Sequence, residues 1–158
     1  MVVLTLISNN DGKKESRMDM LKKILAPTDF SDLSARGVRY ACQLAKDVGA
    51  EVTIFNVLFV DESGINKGEI EEHRQRLEEF VARNVADVGA NLRIRKVVDS
   101  GQAYRTIIER AENEQIDLIV MSSHGRSGLS RMMIGSVTDK VLRGASRPVL
   151  VVPLEKEN

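Results

Sequence analysis

The sequence predicts a single α/β domain built on an open, parallel five-stranded sheet of order 3-2-1-4-5, with helices on both faces. Three observations lead there. From Lys22 onward, short apolar runs alternate with segments of helical spacing, the pattern of strand–helix–strand units whose strands run parallel. The runs also differ in a way that ranks them. IDLIVM at 116–121 is almost wholly apolar, as a strand covered on both faces must be, whereas NLRIRKVV at 91–98 alternates Leu92 and Ile94 with Arg93 and Arg95 and suits a sheet edge. Finally, 158 residues are enough for one well-buried core and too few for two full domains.

The elements follow in order. KKILAPTD at 22–29 is a short strand that ends at Pro27. In the next segment Ser31 is a helix N-cap with Asp32 in the first turn. Val38, Ala41, Cys42, Ala45 and Val48 then recur at three and four until Gly49 stops the helix. EVTIFNVL at 51–58 is the second strand. Ile70, Leu77, Phe80, Val81, Val85 and Val88 mark one face of a charged second helix. After the third strand come a helix in AYRTIIERAENE, the fourth strand IDLIVM, a helix in GSVTDKVLRGA and a last strand in PVLVV. The order 3-2-1-4-5 satisfies both the burial ranking and right-handed crossovers.

Composition narrows the function classes. The chain carries 23 basic and 23 acidic residues, so nothing pulls it as a whole toward nucleic acid or a membrane. One cysteine, Cys42, makes no internal disulfide, and two histidines, His73 and His124, make no zinc-type cluster; a reducing, cytoplasmic setting is expected. The apolar run from Val2 to Ile7 is too short to span a membrane and has no basic segment ahead of it. Residues 1 to 20 are therefore expected to be an extension outside the fold, with the domain at 21 to 155.

In the order 3-2-1-4-5 the winding reverses between strands 1 and 4, and ligands of open α/β sheets bind at the carboxyl ends of strands beside such a reversal. Those ends are APTDFS and MSSHGRSG. The second opens a stretch, 121–140, with three glycines, six hydroxyl residues and three basic side chains. It runs into a helix whose start is expected near Gly135 and Ser136, where unpaired N–H groups and a partial positive charge suit phosphate oxygens. From Ser122 to Arg147 there are five basic residues against one acid, which leaves 18 basic and 22 acidic elsewhere, so the local surplus coincides with the candidate site. An ordinary helix start explains the same residues without a ligand, because Ser136 with Asp139 resembles a capping-box variant. His124 is weighed as a polar loop residue ahead of a catalytic one, Cys42 as a small buried hydrophobe, and His73 as exposed. No P-loop, dinucleotide fingerprint or hydrolase elbow is present.

ILAPTDFSDLS and DLIVMSSHGRSGLSRMMIGSVTDKVLRGASRPVLVVP, about a hundred residues apart, resemble the universal stress protein family, and the resemblance covers residues 22 to 153. It implies a Rossmann-like fold of the adenine nucleotide alpha hydrolase-like kind. The family's nucleotide signature is G-x2-G-x9-G-[ST]. Gly125, Gly135 and Ser136 match its second half, while Ser122 stands where the first glycine belongs. By this resemblance Pro27, Thr28, Asp29, Val57, Met121, Ser122, Gly125, Gly135, Ser136, Val137 and Thr138 would line a site for ATP. Mg²⁺ or Mn²⁺ would sit on its phosphates, with no catalytic residue and no protein metal site. If the backbone at Ser122 takes a positive φ, a non-glycine residue there costs on the order of 1 kcal/mol. The resemblance further implies a homodimer paired through the last strand, Pro148 to Val152, and a stress-response sensor or regulator with at most slow ATP hydrolysis. The alternative is a dimeric interaction module of the same fold that binds no nucleotide. An adenylyl-transfer enzyme is disfavoured, because neither H-x-G-H nor S-G-G-x-D-S follows the first strand.

Overall fold

The computed structural model describes residues 21–59, 67–124 and 134–153. The N-terminal extension expected at 1–20, and Gly125 and Gly128 of the glycine-rich loop, lie outside the described residues. In chain order the elements are β1 (Lys23–Pro27), α1 (Asp32–Val48), β2 (Glu51–Leu58), α2 (Lys67–Val85), β3 (Ile94–Ser100), α3 (Ala103–Asn113), β4 (Leu118–Ser122), α4 (Ser136–Gly144) and β5 (Val149–Val152). The strands form one parallel sheet in the order β3-β2-β1-β4-β5, the expected order.

Alternation along the strands divides the core in two. Ile24, Ala26, Val52, Ile54, Leu118 and Val120 turn toward α1 and α2, where they meet Val38, Ala41, Cys42, Leu77 and Phe80. Leu25, Phe55, Ile119 and Met121 turn the other way, onto Ile107 and Ala111 of α3 and Val141 of α4. β4 is buried along its whole length, which is why its sequence lacks alternation.

Local signals set most boundaries. Ser31 is the N-cap of α1 and accepts from the Ser34 backbone N–H, and Gly49 closes the helix at φ 73°, a left-handed conformation suited to glycine. β3 departs from expectation: it begins at Ile94 rather than Asn91 and continues to Ser100. Asn91 takes a positive φ of 67° in the preceding turn, and seven consecutive pairs with β2, up to Leu58 with Ser100, carry the strand onward. At this edge Lys96 pairs with Glu78, and Arg95 reaches Glu51 and Glu114.

Cys42 is fully buried on the inner face of α1. Burial pushes its thiol from 9.0 up to about 11. The unfolded chain would ionise this thiol first, so its contribution to stability is complete below the unfolded value and is lost as pH rises toward the folded one. Relative to Cys42→Ala, the wild type should lose on the order of 2 kcal/mol between about pH 8 and pH 11 in paired urea melts. A constant difference between the two proteins would contradict it.

Candidate functional site

The carboxyl ends of β1 and β4 and the starts of α1, α3 and α4 enclose a cavity of about 290 Å³. It lies at the winding reversal, where the sheet topology alone would place a ligand. Ten of the eleven residues singled out from the sequence line it: Pro27, Thr28, Asp29, Val57, Met121, Ser122, Gly135, Ser136, Val137 and Thr138. The eleventh, Gly125, is outside the described residues. Ser34, Phe55, Ala103, Ile107 and His124 also line it and were not anticipated as site residues. Period-2 alternation from Val57 would have found Phe55, since both must face the same side of β2. Nothing in the sequence ties α3 to the site, because its approach depends on how the helix packs.

The β1–α1 turn is held by its own side chains. The Thr28 hydroxyl lies 2.8 Å from Ser34 Oγ, which itself donates to the Ser31 carbonyl at 2.9 Å, so the Thr28 hydroxyl is the donor. The Phe30 N–H donates to Thr28 Oγ1 at 3.0 Å. The Ser31 hydroxyl donates to Asp29 Oδ1 at 2.6 Å, and the Ser31 N–H reaches the same oxygen at 3.1 Å. Asp29 is thereby oriented at the cavity wall. Phe30 adopts a left-handed φ of 66°, a strained state for an aromatic residue that costs on the order of 1 kcal/mol.

The start of α4 differs from the capping-box expectation. Its N-cap is Gly135, and among the described residues no side chain caps the first turn. Asp139 instead pairs with Arg143 one turn on. The first-turn N–H groups, beside Ser136, Val137 and Thr138 at the cavity, are thus left to a ligand or solvent. Gly135 has φ −58°, open to any residue, so its particular contribution is a bare Cα at the cavity wall.

Ser122 is also resolved. It is the last residue of β4, pairs with Val152, and is absent from the positive-φ residues, so serine there carries no left-handed strain. Its hydroxyl donates to the His124 carbonyl at 2.5 Å, and its own carbonyl accepts from Thr138 Oγ1 at 3.0 Å. The side chain braces the loop start. Ser122→Gly should therefore lower stability by about 1 kcal/mol through the lost bond and added backbone freedom, lowering Tm by about 2–4 °C. An increase in Tm would mean that serine is strained after all.

His73 is less exposed than expected, and His124 is buried. His124 is 4% exposed, with Nδ1 3.0 Å from Ser123 Oγ and a buried Nε2 that has no hydrogen-bond partner among the described residues. His73 is half-buried, its Nδ1 2.8 Å from Asn56 Oδ1 and its ring against Phe30. Spacing on a helix predicts which face a residue takes, but the turn that packs over that face comes from far away in sequence.

The model of the universal stress protein family matches residues 20–153. Universal stress protein MJ0531 of Methanocaldococcus jannaschii is 33% identical over 148 residues, 88% of this chain and 86% of the relative. Universal stress protein MJ0577 of the same organism is 29% identical over 157 residues, 84% of this chain and 95% of the relative. A solved structure of the MJ0577 protein superimposes with a TM-score of 0.65 at 27% identity, covering 87% of this chain and 99% of that one. A universal stress protein in complex with cAMP superimposes with a TM-score of 0.68 at 22% identity, covering 85% and 98%, which establishes the shared fold.

Proposed function

The chain belongs to the universal stress protein family, and from that premise we propose that it binds an adenine nucleotide, ATP foremost, in the cavity between the ends of β1 and β4. The observation that carries the proposal is the uncapped start of α4 facing a cavity whose opposite wall is apolar. Phosphates suit the first and a purine suits the second. Pro27, Phe55, Val57, Ile107 and Met121 supply the apolar wall, and Thr28, Asp29, Ser136 and Thr138 the polar groups that would orient base, ribose and phosphate. The solved protein that holds cAMP has the same fold, which makes adenine nucleotides the first ligands to test.

Among the described residues no group of three or more His, Cys, Asp or Glu side chains gathers around a common point. On this proposal Mg²⁺ or Mn²⁺ rides on the phosphates. On the same proposal the protein is a stress-response sensor or regulator that holds its nucleotide, with at most slow hydrolysis. Among the described residues no helix is long and apolar enough to cross a membrane. A cytoplasmic location remains part of the proposal.

The homodimer belongs here too. β5 is an edge strand of apolar residues, Val149 to Val152, whereas the opposite edge, β3, is guarded by charged pairs. An unguarded apolar edge favours pairing with a second copy. Sedimentation at micromolar concentration should give a dimer, and a clean monomer would refute this part. The nucleotide-free alternative drew its support from Ser122; an extended, hydrogen-bonded serine carries no left-handed strain there, which supports the nucleotide-binding reading.

Calorimetric titration with ATP plus Mg²⁺ or Mn²⁺, and with AMP, tests the central claim. At a ligand concentration about a hundredfold above Kd the folded state gains about 2.7 kcal/mol, which raises Tm by about 5–10 °C for a chain of this size. Neither heat nor thermal shift at millimolar ATP or AMP would overturn the proposal.

A further inference from the structure

Asn56 lies on β2 between two cavity residues, Phe55 and Val57, so alternation turns it to the opposite face of the sheet, where α1 and α2 pack. It is 4% exposed. Its Nδ2 donates to the Thr28 carbonyl at 2.8 Å, and because that carbonyl can only accept, the orientation of the amide is settled. Asn56 Oδ1 is then the atom 2.8 Å from His73 Nδ1, and since an amide oxygen can only accept, Nδ1 must carry the proton. A directed chain of two hydrogen bonds thus runs from α2, through the sheet layer, to the carbonyl of a residue at the cavity wall.

A second contact runs beside it. The His73 ring lies 5.8 Å from the ring of Phe30, which is also covered by Phe80 at 5.8 Å and by the Arg76 guanidinium at 4.7 Å. Phe30 is the residue in the strained left-handed conformation, and such a state persists only where its surroundings hold it. α2 therefore grips the β1–α1 turn on both sides of Asp29, at the Thr28 carbonyl and at the Phe30 ring. None of the described α2 side chains lines the cavity.

We propose that His73 is a positioning residue for the nucleotide site: acting through Asn56, and braced by Phe30, it holds the Thr28–Asp29 turn in the shape that meets the ligand, from the face of the sheet opposite the cavity. The proposal rests on the nucleotide-binding reading above. It also makes α2 an element whose displacement would loosen the site without touching the ligand.

Three variants separate the hydrogen bond from the packing. His73→Phe keeps a ring beside Phe30 but has no donor. His73→Asn keeps an amide donor close to the place of Nδ1 but has no ring. Asn56→Asp sets a carboxylate oxygen against the Thr28 carbonyl, two acceptors facing each other. Titration with AMP by calorimetry should give Kd raised about fivefold in His73→Phe, about tenfold or more in Asn56→Asp, and within about twofold of wild type in His73→Asn. Wild-type affinity in His73→Phe overturns the proposal, and so does His73→Asn binding as weakly as His73→Phe. If the wild type binds neither AMP nor ATP, the nucleotide reading fails, and the ¹⁵N spectrum of the ligand-free protein decides the relay. Thr28, Asp29 and Phe30 amide resonances displaced in His73→Phe and restored in His73→Asn support it, and resonances that do not move overturn it.

Discussion

Phe55→Ala is expected to cost about 3–5 kcal/mol of stability and to weaken nucleotide binding as well. Phe55 is fully buried, and its ring contributes to the cavity wall while the Arg110 guanidinium covers it at 4.7 Å from the centroid. Arg110 is itself tied to Asp99 and Glu114, and its buried Nε has no hydrogen-bond partner, so the ring also serves the cation above it. Removing the ring merges the ligand cavity with a void in the core formed by Ile107, Ile119 and Met121. The neighbours on rigid strands have little freedom to collapse into it. Urea unfolding should show the loss as a lower midpoint with little change in slope, and Tm should fall by about 6–20 °C. Phe55→Leu should retain most of the stability. A cost below about 1 kcal/mol for the alanine variant would mean that the ring is not packed as described.

The second large effect is expected at Gly37, on the inner face of α1. A Cβ placed there would lie 2.8 Å from the Ser122 backbone N and 3.2 Å from the Met121 carbonyl carbon. Both belong to the backbone of the interior strand β4, which is paired on both sides and has no slack. Helix propensity favours replacement of a mid-helix glycine by about 1 kcal/mol, but overpacking against backbone opposes it by about 1–3 kcal/mol or more. The steric term wins. Gly37→Ala should be destabilised in spite of its better propensity, and Gly37→Val by on the order of 3 kcal/mol, read as a shift in the urea midpoint. Because Met121 and Ser122 also line the cavity, the displacement of α1 should be felt as weaker AMP binding. A Gly37→Ala protein more stable than wild type would show that α1 does not rest on β4 at this distance.

Much of the site was legible because its signals are local or topological. The position of the cavity follows from strand order, and that order agrees with the contrast between the nearly all-apolar 116–121 run and the alternating 91–98 run. The Ser31 cap and the Gly49 stop are short-range features and stand where the spacing put them. The capping box at Ser136 and Asp139 failed for an equally local reason: the helix takes Gly135 as its N-cap, which puts Ser136 inside the first turn, and Asp139 pairs with Arg143, four residues on. The glycine motif signalled Ser122 as a departure, but not its consequence. Whether serine is strained depends on φ, and φ there is set by pairing of β4 with β5.

The sequence by itself determined the architecture and the end of the sheet at which a ligand would sit, because hydrophobic period and turn chemistry act over a few residues at a time, and its resemblance to a family named most of the residues around that end. Only the tertiary structure decided which groups support that site from a distance. Ile107 approaches it from α3, Gly37 lets α1 lie on Ser122, and His73 reaches Thr28 through Asn56, with 17 residues separating the first pair and 28 the second. Such contacts carry no local signature. They depend on the angle and depth at which a helix settles on the sheet, and that is fixed by the packing of the whole core at once.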